Sequence, residues 1–328
     1  MKKILTVLVV LFSVVVLFGC KKEDNVLKYV GLKVYDPVYI AIEKGYFEEE
    51  GLKVELINTI AGGPTGVQMV ASGEVDASLS SYMAIINSVN AGLPIIGVTD
   101  VQSSIIGAPL EEFYVKENSG INELKDLKGK TIAINLFNSS FHYTWLIALA
   151  EVGLSADDVN FVLLPFDVQL TALENGNVDA IGLMTPFSAV AKNTEGMKML
   201  FSALDVFGEK QFATHFLNKT WANKNPKDAK KFVSGIVKAI NFSKDNQAEA
   251  KNIIEKYSNI DSELIADYYF QENGMVVLED AQYWIDYMKV LDPSIVLTSA
   301  KEIVTNDYNK LVKWFIFYKG EKNEIRKN

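Results

Sequence analysis

Twelve residues have the types and the placement to hold a small molecule: Tyr35, Asp36, Gly63, Thr65, Ser80, Ser81, Tyr82, Phe137, Asn138, Ser139, Phe166 and Thr185. Tyr35, Tyr82, Phe137 and Phe166 could sandwich a flat ring, because aromatic faces bury much area and stack with defined geometry. Asp36, Ser81, Asn138 and Thr185 could read the polar edge of that ring. Taken singly, each residue also has an ordinary role as a turn former or helix cap. What unites them is that every one follows a strand-like run, on the edge where open α/β sheets bind ligands. Residues for bond-making chemistry are sparse. His142 and His215 are the two histidines and Cys20 is the single cysteine. The chain has no Gly-x-Ser-x-Gly elbow, HExxH helix or phosphate-binding GxxxxGK[ST] loop, so no catalytic residue, metal or cofactor is expected. Arg326 is the sole arginine. A bidentate guanidinium clamp for a carboxylate, sulfonate or phosphate is therefore missing, and an anion would have to rest on helix N-termini and a lysine.

The elements that must position these residues alternate between strand-like and helix-like periods, which predicts an α/β fold with largely parallel sheets and helices on both faces. Strands are expected at 26–34, 52–58, 75–79 and 93–101, then again at 131–135, 159–164 and 178–183. Helices fall between them, the first opened by Pro37, another capped by Ser80-Ser81, and further ones at 139–152 and 167–174. Residues 110–130 read as a charged, turn-prone crossing. The segment Gly73-Glu74-Val75-Asp76-Ala77 is echoed by Gly176-Asn177-Val178-Asp179-Ala180, so each half reuses one helix-turn-strand unit. Amphipathic spacing predicts five C-terminal helices, at 226–246, 248–257, 262–274, 281–291 and 300–317, packed on the first lobe.

A length of 328 residues suggests two domains, and 49% hydrophobic with 22% charged residues is globular composition. The net charge of −9 and the dispersed lysines exclude a nucleic-acid surface. Met1-Lys2-Lys3 followed by an apolar run to Phe18 reads as a secretion signal. Leu17-Phe18-Gly19-Cys20 resembles a lipobox, which implies a signal peptide over 1–19, lipidation at Cys20 and a tether over 20–26.

The helix phrase Ala41-Ile42-Glu43-Lys44-Gly45-Tyr46-Phe47 with Gly51-Leu52-Lys53-Val54 is similar to that of the nitrate/sulfonate/taurine (SsuA) and thiamine-pyrimidine (THI5/NMT1-like) solute-binding proteins. Gly62-Gly63-Pro64, Gly73-Glu74-Val75-Asp76-Ala77, Asp126-Leu127-Lys128-Gly129-Lys130-Thr131 and Asn177-Val178-Asp179-Ala180 follow in the family's order. The resemblance implies a two-lobed, type II periplasmic-binding-protein fold, with lobe one formed by 27–112 and 217–328 and lobe two by 113–216. It further implies a monomeric, extracytoplasmic, lipid-anchored protein serving an ABC permease and ATPase, with the ligand held between closing lobes. The aromatic loops and missing arginine favour a heteroaromatic ligand of thiamine-pyrimidine or riboflavin type. Nitrate or an alkyl sulfonate is the alternative, and a pyrimidine-synthesising enzyme or a ligand-sensing module could share the fold.

Overall fold

The computed structural model describes residues 26–185, 187–265 and 269–312. The leader, Cys20 and Pro186 lie outside these residues. The first sheet has the order β2-β1-β3-β10-β4, from β1 (Val26–Leu32), β2 (Lys53–Ile60), β3 (Ala77–Ser81), β4 (Ile95–Ser104) and β10 (Lys210–Asn218). The second has the order β7-β6-β8-β5-β9, from β5 (Glu112–Lys116), β6 (Thr131–Ile134), β7 (Asn160–Leu163), β8 (Ala180–Leu183) and β9 (Met197–Ser202). In each sheet three strands are parallel, and a strand arriving from the other lobe lies antiparallel beside them: β10 next to β3, and β5 next to β8. The parallel pairs require crossovers. In lobe one these are α1 (Pro37–Glu43) with α2 (Tyr46–Glu49), then α3 (Gly63–Ser72). Their counterparts in lobe two are α5 (Ser140–Glu151) and α6 (Phe166–Glu174).

The repeated Gly-x-Val-Asp-Ala segment does the same work in both lobes. Gly73 and Gly176 take positive φ, 81° and 74°, where a side chain would be strained, and so end α3 and α6. Val75 and Val178 then plug into the core. Asp76 Oδ2 accepts the Lys28 N–H at 2.8 Å while its own N–H donates to the Lys28 carbonyl at 2.9 Å. Asp179 repeats this with Thr131, at 2.8 Å in both directions. One carboxylate in each lobe thus registers the third strand against the first.

Two apolar layers sandwich the first sheet. On one face Phe47 stacks on Phe232 of α10 (Pro226–Asp245), with ring centroids 5.6 Å apart, and Gly235 permits that approach because a Cβ there would fall 2.4 Å from Phe47 Cδ1. The other face holds α4 (Tyr82–Asn90) and α12 (Leu278–Leu291) around Trp284, Ile85 and Met288. The second sheet is enclosed by a cluster around Phe113, Trp145 and Phe201 and another around Tyr114, Leu173 and Ile181.

Several expectations change. Residues 110–130 contain a strand, β5, and β9 and β10 also lacked a clear pattern. β10 is buried on both faces, but Gln211, Thr214 and His215 interrupt its apolar run. The expected boundaries at 112/113 and 216/217 shift accordingly: Glu112 already pairs with Leu183 and Ser202 in the second sheet, and 210–216 pair within the first. The crossings run between β4 and β5 and, through α8 (Ala203–Phe207), between β9 and β10. They are tied together, since Ile106 N–H donates to Glu209 Oε1 at 3.0 Å and Ala203 N–H to the Glu111 carbonyl at 2.9 Å.

The C-terminal part contains α9 (Lys219–Lys224), α10, α11 (Gln247–Ser258) and α12, whereas the described residues within the expected helices at 262–274 and 300–317 do not form them. Single 3₁₀ turns stand at Ser262–Leu264, Glu272–Gly274 and Ala300–Glu302 instead. Beyond the last of these the edge of β4 captures the backbone, with Gly97 N–H donating to the Ile303 carbonyl at 2.8 Å and Thr305 N–H to the Gly97 carbonyl at 2.9 Å. Thr305 and Asn309 side chains accept from nearby N–H groups, a local bonding pattern that competes with a helix.

Candidate functional site

The strand ends of the two sheets face one another across a cavity of about 670 Å³, within the range typical of small-molecule sites. Lobe one lines it with Lys33 and Val34 after β1, Gly62 and Gly63 after β2, and Ser80 and Ser81 at the end of β3. Lobe two contributes Asn135 after β6, Ser139, Ser140 and Phe141 at the start of α5, Phe166 and Asp167 opening α6, and Met184 with Phe187 after β8. Glu111, on the outgoing crossing, lies in the lining, and residues 258–261 at the end of α11 complete a wall. The lobes meet at its rim, where a Cβ on Gly62 would fall 2.7 Å from Leu136 Cδ1. They meet again beside it, where Asn87 Nδ2 donates to Tyr143 Oη at 2.6 Å.

Of the twelve expected residues, the cavity brings together Gly63, Ser80, Ser81, Ser139 and Phe166. Ser81 caps α4 by accepting the Ala84 N–H, and Ser139 caps α5 by accepting the His142 N–H, so both hold helix starts at the lining. The other seven stand outside the lining. Asp36 is fully buried as the cap of α1, accepting the Val38 N–H at 2.9 Å and the Tyr29 hydroxyl at 2.6 Å, with His215 Nε2 2.9 Å away. Tyr82 turns into the core and donates to Gln211 Oε1 at 3.3 Å, while Tyr35 packs against Phe270. Phe137 meets His142 edge-on, Asn138 turns the chain with φ of 62°, Thr65 is exposed on α3, and Thr185 lies past β8. Both histidines are also outside the lining: His215 is locked between Asp36 and Thr99, and burial lowers the pKa of His142 among Phe137, Tyr143 and Phe161.

Beside the expected Phe166, the aromatic wall comes from Phe141, Phe187 and Phe212, whose spacing carried little signal. Phe166 stacks on Phe187 at 6.0 Å and takes the edge of Phe141 at 4.8 Å. Facing them are aliphatic Val34, Ile60 and Leu79, with Phe212 from β10. The charged residues of the lining are Lys33, Glu111, Asp167 and Asp261, an excess of negative charge. Glu111 differs from the other two carboxylates because it is buried. Thr144 Oγ1 lies 2.7 Å from its Oε2, and its Oε1 has no partner among the described residues. Desolvation pushes this carboxyl up to about 7 against the opposing pull of hydrogen bonds from Ser140 and Thr144. Ser80 Oγ is likewise buried and unpartnered, lying under Gly63, where a Cβ would fall 2.1 Å from it.

Comparison with known proteins agrees with this architecture. Residues 34–250 match the family described as NMT1/THI5 like. A protein of Bacillus subtilis (strain 168) named for binding aliphatic sulfonates is 29% identical over 273 residues, covering 79% of this chain and 80% of the relative. The 4-amino-5-hydroxymethyl-2-methylpyrimidine phosphate synthase of Candida albicans (strain WO-1) is 26% identical over 250 residues, covering 70% of this chain and 69% of the relative. Among solved structures, the periplasmic aliphatic sulphonate binding protein SsuA from Escherichia coli superposes with a TM-score of 0.70 at 20% identity, covering 86% of this chain and 98% of that one. The two-lobed periplasmic-binding-protein fold is common to both.

Proposed function

The chain belongs to the NMT1/THI5-like family, and from that premise we propose that it is the extracytoplasmic solute-binding component of an ABC importer, capturing a small, neutral or weakly charged heteroaromatic molecule between two closing lobes. The observation that carries the ligand class is the interlobe cavity itself, walled by Phe141, Phe166, Phe187 and Phe212 and lined by three carboxylates against one lysine. A flat ring matches such walls, and the negative lining disfavours an anion. The solute is carried unchanged; the position of both histidines away from the lining supports transport over synthesis. Cys20 would carry the lipid anchor, so Cys20→Ser should release the protein from membranes, and unchanged membrane association would refute anchoring there.

Aliphatic sulfonates are the second reading. The relative named for them supports it, as does the start of α3, where no side-chain cap at Gly62 competes with an anion for the Gly63 N–H. Native mass spectrometry of the co-purifying solute, followed by calorimetry with 4-amino-5-hydroxymethyl-2-methylpyrimidine and with butanesulfonate, separates the two. Binding of the pyrimidine alone supports the first reading; binding of the sulfonate alone replaces it with the second. Recovery of a chemically altered pyrimidine would instead establish an enzyme. Co-purification with a membrane receptor in place of a permease would establish a sensor.

A further inference from the structure

Two residues of the cavity lining, Ser80 and Glu111, each carry a buried side-chain oxygen, Oγ and Oε1, that lacks a partner among the described residues. An unmade hydrogen bond at a buried polar atom is costly, and such atoms in native proteins repeatedly mark where another group completes the set. Glu111 is the stronger case, being 2% exposed, with Oε2 beside Thr144 of α5 and its backbone carbonyl taken by Ala203. Its carboxyl is therefore held in position, and one oxygen is left over. Ser140 and Thr144 are the side chains that bond to this carboxyl, and Oε1 still has no partner among the described residues, so the complementary group is a donor on the solute.

Resting on the heteroaromatic reading above, we propose that Glu111 determines specificity by accepting an N–H from the edge of the ring, so that the solute class is an amino-substituted heteroaromatic. The location gives this contact a second use. Glu111 sits on one crossing and bonds to the start of the other, so a solute held there touches the segment about which the lobes move. Ser80, on the lobe-one side, offers a hydroxyl that can donate to a ring nitrogen or a carbonyl.

The test compares two probes, 4-amino-5-hydroxymethyl-2-methylpyrimidine and the same ring without its 4-amino group, by calorimetry on the wild type, Glu111→Met and Glu111→Gln. A hydrogen bond to a charged or chargeable group is worth roughly tenfold or more in affinity. The wild type is expected to prefer the amino probe by about that factor, and Glu111→Met to lose the preference while binding the amino-free ring as the wild type does. That split distinguishes recognition from a purely structural role, which would weaken both probes alike. An amino preference that survives in Glu111→Met overturns the proposal. Glu111→Gln, whose amide oxygen still accepts, is expected to keep the preference; if Glu111→Met does not fold, the wild type decides with a third probe whose 4-amino group is dimethylated and has no N–H to donate, and binding equal to that of the amino probe overturns the proposal. Equal binding of both rings by the wild type sinks the Glu111 assignment and leaves the heteroaromatic reading standing. Binding of neither ring removes both.

Discussion

At the scale of single residues, Glu111 ties stability to pH. Its carboxyl rises from an ordinary value of 4.5 to about 7 through burial, so between those limits the folded protein holds a proton that the unfolded chain releases. Unfolding stability therefore falls as pH rises through that window and stays low above about 7. The full effect is about 3 kcal/mol. Melting temperature is expected to decline between pH 5 and 8 in the wild type and to decline less in Glu111→Gln; parallel profiles would contradict this. The adjacent glycines Gly62 and Gly63 offer a second residue-scale contrast. In Gly63→Ala the new Cβ would lie 2.9 Å from Ser80 Cα, which is backbone and cannot yield, whereas in Gly62→Ala its one close contact is the flexible tip of Leu136, with Asn135 Nδ2 at an ordinary 3.5 Å. Urea denaturation should show Gly63→Ala losing about 1–3 kcal/mol and Gly62→Ala much less. Glu111 was not legible in the sequence because it sits next to Glu112 in a charged stretch with no period. Its importance comes from burial by α5 and the second crossing, which are distant in the chain. Asp36 and Tyr82 were misleading for the opposite reason: polar and aromatic residues beside a strand end suit a site, but their own helices turned them into the core.

At the scale of elements, the parallel strands and their crossover helices were readable because periodicity, Pro37, the left-handed glycines and the serine caps all point the same way. The echo of Gly73–Ala77 in Gly176–Ala180 was also readable, although its physical meaning was not: it pins the third strand of each lobe to the first through Asp76 and Asp179. Asp76→Ala and Asp179→Ala should each cost about 1.5–3 kcal/mol, the range for hydrogen bonds to charged groups. Because they act in different lobes, the double variant is expected to equal the sum within about 0.5 kcal/mol. Coupling well beyond that in denaturant titrations would mean the lobes do not respond independently. Among the described residues the expected helices at 262–274 and 300–317 do not form, because the backbone at 269 and at 303–305 bonds to β4 and Ala300, Ile303 and Val304 pack in the cluster around Trp284 of α12.

At the scale of the whole molecule, the cavity exists only between the lobes, so occupancy and closure are linked. Small-angle scattering on saturating ligand should give a smaller radius of gyration than the ligand-free protein, and identical curves would argue against closure. The two-lobe plan was legible, but the return crossing was not, because Gln211, Thr214 and His215 break the apolar run of β10, which pairs within the first sheet although 210–216 were expected in lobe two. β10 also governs the order of assembly. It fills the gap between β3 and β4, so β3, already beside β1, keeps one edge open and β4 waits for its strand partner until the ribosome has made residue 210 and beyond. The second sheet draws all its strands from one contiguous stretch and can finish earlier. A nascent chain of this design therefore closes its second sheet before its first, although the first begins nearer the N-terminus.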